Sequence, residues 1–388
     1  MTGRLARHAS VEAMLKQLQP SYPILCIRPA VLRQRVQAFL AGFPGTVLYA
    51  VKCNPLPAVL RALAAAGIRH FDTASLPEIA QVAEAFSDAT AYFHHPVKSA
   101  AAIRNAYEVY GVRHFVIDHG AELDKLARTL PGRELAVLVR FATAAGLALF
   151  DLSAKFGATP KDAALLLAEV ARRGYRPGLA FHVGSQCLHP QAYDLALRLA
   201  ETIVDDAGVK PEILDVGGGF PANYPGSGAP PLADYFAAIR AGLKRPDLAP
   251  GAVVLGEPGR ALVADGCSLI LQVQLVKGDG LYVNDGIYGC LADLALTPSL
   301  NPPARLLRLD GRPLGEMRDF RLFGPTCDSL DVLPRPFRLP ADAREGDWIE
   351  IGQMGAYSMA LMSRFNGFGV DAIVELTDAP FGELAGSP

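Results

Sequence analysis

The sequence lacks the cysteine pairs that would staple a small fold or bind a structural metal. Its six cysteines, Cys26, Cys53, Cys187, Cys267, Cys290 and Cys327, include no C-x-x-C pair, so neither a disulfide framework nor a zinc site is indicated. There is no basic field: the net charge is -2 and no Lys/Arg cluster stands out, which argues against a nucleic-acid partner. No apolar run reaches the length of a membrane span. The opening "MTGRLARHASVEAMLKQL" has no apolar segment of the secretory type. Solenoid repeats and long low-complexity linkers are also missing. The expectation is a reduced, soluble, cytoplasmic protein.

What is present is a chain of 388 residues, 51% hydrophobic and 20% charged. That length accommodates two domains, or one barrel with an attachment. From residue 46 onward, short apolar runs alternate with segments of helical periodicity. The runs are "TVLYAVK" (46–52), "HFDTAS" (70–75), "ATAYFHHP" (89–96), "HFVID" (114–118), "LAVLVRF" (135–141), "GLAFHVG" (178–184), "EILDVGGG" (212–219) and "AVVLGEPG" (252–259). Between them, "PAVLRALAAAG" (57–67), "SLPEIAQVAEAF" (75–86) and "PKDAALLLAEVARRG" (160–174) repeat Ala and Leu at spacings of three and four. Near-continuous apolar strands alternating with amphipathic helices predict a parallel sheet covered by helices. Eight such units fit a closed (β/α)8 TIM barrel over 30–259, with an open doubly wound sheet as the alternative.

After residue 260 the pattern changes. "SLILQVQLVKGDGLYVNDG", "RLLRLDGRPL", "DFRLFGP" and "GDWIEIGQMGAYSM" alternate apolar and polar residues between Gly, Asp and Pro turns. This predicts a second, mostly antiparallel β domain over 260–388, joined by 1–29, where "YPILCIR" (22–28) has no helix partner of its own. The Pro/Gly-rich "PANYPGSGAPP" (221–231) reads as a loop at one barrel face.

In such a barrel the chemistry sits at the C-terminal ends of the strands. "TVLYAVKCNP" is notable there, because an apolar strand ends on Lys52, just before a turn. A strand-end lysine usually just reaches solvent. It can also form a Schiff base at the mouth of a site. Other polar residues gather at the remaining strand ends: Asp72, His94, His95, Asp118, Arg140, His182, Ser185 and Glu257. In "DVGGGFP" the glycines let backbone N–H groups approach an anion, although a tight turn explains them equally well. "GEPGR" offers Arg260 for a phosphate and Glu257 for a proton on a ring nitrogen, or merely a weak surface ion pair. A lysine, a phosphate cradle and a carboxylate for a heteroaromatic nitrogen are what pyridoxal phosphate (PLP) needs.

The ordered motifs "YAVKCNP", "FDTAS", "FHVGSQ", "DVGGGFP", "GEPGRALVA", "NDGIYG", "GPTCDSLD" and "GAYSMALMSRFNGFG" resemble the fold-type III, alanine-racemase-like PLP decarboxylases of the ornithine decarboxylase branch. The resemblance spans about residues 22 to 370. It implies a homodimer with shared active sites, acting on a small-molecule amino acid, with no nucleic-acid or membrane partner. It implies that Lys52 binds PLP covalently and that His182 stacks on its ring. Ser185, Gly218, Gly219, Pro258, Gly259, Arg260 and Tyr357 would surround the phosphate. Glu257 would face the ring nitrogen, and Asp72 and Arg140 would line the site. Cys327 would give a proton to the α-carbon after CO2 leaves. Asp328 would bind the distal ammonium of a basic substrate, with Tyr288 nearby.

One departure concerns the substrate. Eukaryotic members carry a second distal-amine aspartate where Thr297 stands here, and Asp293 is the candidate replacement. The expected reaction is L-ornithine to putrescine plus CO2, serving polyamine biosynthesis, with lysine or dual lysine/ornithine decarboxylation as the alternative. Diaminopimelate and arginine decarboxylases fit less well, as does alanine racemase. A non-catalytic regulatory relative should have lost the lysine, the "EPGR" motif or the cysteine, and all three are present.

Overall fold

The computed structural model describes residues 5–143, 146, 148–150 and 155–381. All eight expected runs form strands: Thr46–Ala50, His70–Thr73, Thr90–Phe93, His114–Ile117, Ala136–Arg140, Arg176–Ala180, Ile213–Asp215 and Val253–Gly256. They pair in parallel, and the last closes on the first through Leu255 and Thr46. The sheet is therefore a closed barrel and not the open alternative. Each strand is buried on both faces, as parallel strands under helices must be. Leu48, Tyr92, Val116, Leu138 and Ile213 fill the interior. Their neighbours Val47, Tyr49, Phe115, Val137 and Val139 face the helical shell.

The three helices expected from periodicity run Pro57–Ala65, Leu76–Ala85 and Pro160–Arg172. Their starts are encoded locally. Ser75 accepts from Glu78 N, and Thr159 accepts from Asp162 N, satisfying helix N–H groups that otherwise lack partners, at about 1 kcal/mol per cap. After the eighth strand only the short helix Arg260–Val263 follows. The longer helix Pro29–Gly42, ahead of the first strand, packs against it and against Pro57–Ala65 and Leu232–Gly242. It thereby covers the barrel where a full eighth helix would lie.

The second unit is a nine-stranded sheet. Its longest strand, Cys267–Lys277, pairs antiparallel with Ile24–Ile27, Gly280–Val283 and Trp348–Ile351. "YPILCIR" thus joins this sheet, as expected. The sheet is mixed: Ala372–Leu376 runs parallel to both Ala6–His8 and Ile24–Ile27, and Gly280–Val283 runs parallel to Met317–Phe323. A buried ion cluster ties it together. Arg28, 1% exposed, lies 3.1 Å from Glu350, which is fully buried. Ser268 and Asp378 accept further bonds from the Arg28 guanidinium. Arg305 contacts the other Glu350 oxygen at 2.6 Å. Among the described residues, no helix is long and apolar enough to cross a membrane.

Candidate active site

The first barrel strand passes at Ala50 into a single tight turn, Val51–Cys53. This turn lifts Lys52 out of the apolar run and over the barrel end. Its Nζ lies 2.8 Å from Oδ2 of Asp72, which ends the neighbouring strand and is buried. Burial disfavours the Lys52 ammonium, but the Asp72 and Glu257 carboxylates outweigh it and hold the amine above the ordinary lysine range. The Asp72 carboxyl is pushed up by its own burial and by Glu257, and Lys52 opposes this.

Glu257 follows the eighth strand. Its backbone N–H donates to Gly217 O at 2.8 Å, so the glycine turn and the carboxylate are fastened together. Oε1 of Glu257 sits 2.7 Å from Nδ1 of His94, at the end of the third strand, and the same Nδ1 lies 3.1 Å from Oδ2 of Asp215. Glu257 Oε2 has no hydrogen-bond partner among the described residues. Burial works against a charged His94, and the hydrogen bonding and charges of Asp215 and Glu257 overcome it, pushing its pKa up to about 10.

The glycine turn admits no side chain. Gly217 and Gly219 have φ of +67° and +108°, and a Cβ on Gly218 would stand 2.6 Å from Glu257 O and 2.9 Å from His182 Nε2. The Gly217 N–H donates to Asp215 Oδ1 at 2.8 Å, while the Gly218 and Gly219 N–H groups have no partner among the described residues, which leaves them for an anion. Next to the turn, Ser185 has a hydroxyl without a partner among the described residues. Across from it, Pro258 accepts from Ala50 N at 3.2 Å. Gly259 packs so tightly on Cys53 that a Cβ there would stand 2.8 Å from the Cys53 Cβ. Tyr357 takes a left-handed φ of +54°, held by its N–H bond to Cys53 O. Its ring centre is 5.1 Å from the Arg260 guanidinium. Unusual backbone of this kind concentrates at functional sites.

His182 follows the sixth strand. Its Nδ1 accepts from Gly184 N at 3.0 Å, which places the remaining proton on Nε2. Burial, with Arg140 and Lys52 nearby, pushes its pKa well below the ordinary histidine value. The ring is therefore neutral and can lie flat against another aromatic ring. Arg140 has no ion-pair partner among the described residues, and its guanidinium stands 5.6 Å from the Phe156 ring centre.

Asp293, expected to offer its charge to a substrate, is 4% exposed and bonded to Arg260 Nη1 at 2.8 Å. The same pairing changes the view of Arg260. Its Nη1 is shared between Asp293 and Tyr224, whereas its Nε is buried without a partner.

Cys327, Asp328 and Tyr288 form a second group. Cys327 is exposed. The Tyr288 hydroxyl donates a short hydrogen bond to Asp328, whose other oxygen accepts from Leu330 N. The Tyr288 bond draws the Asp328 carboxyl below the usual range. No hydrogen bond or ion pair among the described residues joins this group to Lys52 or Glu257. Two residues of the site carry little signal in the sequence: His94 stands out only as a strand-end polar residue, and Asp215, at the end of the seventh strand, reads as part of the glycine run. The signal for both is an ionisable side chain at the last turn of a barrel strand.

Taken on its own geometry, the cleft suits pyridoxal phosphate. It holds a lysine at the mouth, a neutral imidazole, a carboxylate with one free oxygen, a crowded glycine turn and an unpartnered guanidinium nitrogen. Comparison with known proteins agrees. Residues 30–264 match the family model described as pyridoxal-dependent decarboxylase, pyridoxal binding domain. The lysine/ornithine decarboxylase of Selenomonas ruminantium is 36% identical over 343 residues, covering 86% of this chain and 84% of that protein. The ornithine decarboxylase of Schizosaccharomyces pombe is 35% identical over 353 residues, covering 84% and 77%. The crystal structure of the Vibrio vulnificus lysine/ornithine decarboxylase complexed with putrescine superposes with a TM-score of 0.80 at 30% identity, covering 95% of this chain and 99% of that one. With sequence, barrel and cleft in agreement, the chain belongs to the fold-type III pyridoxal-phosphate-dependent decarboxylases and is a carboxy-lyase.

Proposed function

We propose that this decarboxylase acts on L-ornithine, releasing CO2 and putrescine, with lysine as a weaker substrate. The observation that carries the reading is Asp328. It is a carboxylate kept ionised and fixed by Tyr288, one residue from an exposed thiol. A pocket ending in a fixed anion selects an amino acid whose side chain ends in a cation. It disfavours diaminopimelate, which ends in a carboxylate of its own.

The residues take the roles that the family resemblance implies, and their surroundings support them. Bound pyridoxal phosphate supplies the electron sink that lets the Cα–carboxylate bond break. Lys52 holds the cofactor covalently, and Asp72 faces the Lys52 amine. The neutral His182 ring supports the cofactor from one face. Ser185, Gly218, Gly219, Arg260 Nε and Tyr357 receive the phosphate, with Pro258 and Gly259 shaping the turn. Glu257 presents Oε2 to the ring nitrogen. Arg140 lines the site as an unpaired cation. Asp293 serves as the partner of Arg260. Cys327 returns a proton to Cα, and Tyr288 and Asp328 hold the distal ammonium.

No hydrogen bond or ion pair among the described residues joins Cys327 or Asp328 to the Lys52 group, which supports a homodimer in which a second copy of the chain supplies them. We read the chain as a barrel over 30–259 and a β domain over 1–29 and 260–388, the latter carrying those groups. Enclosure of Asp293 leaves one distal carboxylate where two were expected, and this favours some lysine turnover. An added methylene discriminates by only about 1–3 kcal/mol in any case. The test is side-by-side kcat/KM for ornithine, lysine, arginine and diaminopimelate, with the products identified. Ornithine is expected to lead, and a clear preference for arginine or diaminopimelate overturns the assignment.

A further inference from the structure

We propose that His94 is a positioning residue for Glu257: lying beside the buried Asp215 carboxylate, it holds the Glu257 carboxylate in place and offsets its charge. The inference rests on the reading that Glu257 faces the ring nitrogen of the cofactor.

Three observations support it. First, the geometry is one-sided. Nδ1 of His94 is hydrogen-bonded to Glu257 Oε1 at 2.7 Å, Asp215 Oδ2 lies 3.1 Å from the same nitrogen without a hydrogen bond, and Nε2 is buried with no partner among the described residues. A histidine that merely filled the core would pair both nitrogens or lie against apolar groups alone. Second, the contact engages only Oε1 and leaves Oε2 without a hydrogen-bond partner among the described residues. Third, the groups facing His94 come from several elements: Asp215, Glu257, the Tyr92 ring at 5.4 Å, and Asp72, whose carboxylate shares a cluster within 4.8 Å with His94 and Glu257. Three carboxylates meet there. Without the imidazolium, Lys52 and the more distant Arg140 would be the cations left to balance them.

A charged donor on Oε1 fixes the Glu257 carboxylate, so that Oε2 stays in place for the ring nitrogen. When His94 is lost, Glu257 lies near Asp215 with no cation between them, the carboxylate turns away, and the ring nitrogen loses its partner.

The experiment uses holoenzyme loaded with pyridoxal phosphate carrying 15N in the ring, read by 15N NMR alongside steady-state kinetics. Wild type, Glu257→Gln, His94→Leu and His94→Gln are compared. Glu257→Gln should move the ring resonance toward the unprotonated position. His94→Leu should move it in the same direction, and His94→Gln, a donor without charge, should fall between wild type and the leucine variant. The expected loss in kcat for His94→Leu is about ten- to hundredfold, the scale seen when the outer partner of a metal-binding group is removed, with KM little changed. If Glu257→Gln moves the resonance while His94→Leu leaves it at the wild-type position, the proposal is overturned. If Glu257→Gln itself has no effect, the reading of Glu257 fails and takes the proposal with it. Should the leucine variant not fold, a wild-type resonance and kcat in His94→Gln overturn the proposal instead.

Discussion

Lys52 and Asp72 end adjacent strands of the barrel, with ammonium and carboxylate 2.8 Å apart over the cleft. The lysine proposed to react as a free amine is thus held as a cation: Asp72 and Glu257 keep it above the ordinary lysine range.

Lys52→Ala should abolish the visible absorbance of the lysine-bound cofactor and nearly all turnover. Asp72→Asn removes the nearest charge that keeps the amine protonated, so the amine gives up its proton more readily. At pH 7 the cofactor-free Asp72→Asn protein should develop the visible band faster than wild type after mixing with pyridoxal phosphate. A slower or equal rate would show that the ion pair does not limit loading.

The separation of Cys327 and Asp328 from Lys52 predicts complementation. Lys52→Ala and Cys327→Ala protomers, each inactive, should recover part of the activity when mixed, because one of the two mixed sites keeps both groups. Absence of recovery in a mixture shown by native mass spectrometry to contain mixed dimers would count against sharing.

Asp328→Asn tests the distal anchor. A hydrogen bond to a charged group contributes about 1.5–3 kcal/mol, or roughly ten- to hundredfold in kcat/KM for ornithine. Affinity for the cofactor should hardly change. A similar loss in both would place Asp328 in the cofactor site instead.

His94 gives the protein a pH-dependent stability term. Its pKa is raised in the folded state, to about 10, against about 6.5 in an unfolded chain. A raised value means that the folded state binds the proton more tightly. The contribution is complete below about pH 6.5 and is lost as pH rises through about 10. Between pH 7 and 10.5, urea denaturation should therefore show wild type losing more stability than His94→Leu. Parallel losses in the two proteins would refute this.

Glu350→Ala leaves Arg28 buried beside an empty place. Breaking a buried pair from one side costs about 3–5 kcal/mol, so a large fall in Tm is expected while the Lys52 cleft keeps its geometry. A change below about 1 kcal/mol would mean that Asp378 and Ser268 suffice for Arg28.

The sequence alone determined the barrel, because each strand and helix is specified by local chemistry. "AVLVR" is apolar on both faces wherever it lies, and Ser75 with Glu78 caps a helix without reference to anything distant. It also determined which ionisable residues stand at strand ends, including Lys52, Asp72, His94 and Glu257. Tertiary structure alone decided which of them meet. Asp293 became the partner of Arg260 because the helix that follows the "NDGIYG" turn lays it against that guanidinium. His94 reached Glu257 and Asp215 because closure of the barrel brings the ends of the third, seventh and eighth strands together across its mouth. The helix Pro29–Gly42 packs on Arg260–Val263, and Ala372–Leu376 runs parallel to Ile24–Ile27, for the same reason. Register across a closed sheet joins residues 163 positions apart, such as His94 and Glu257, and periodicity along the chain carries no trace of such a pairing.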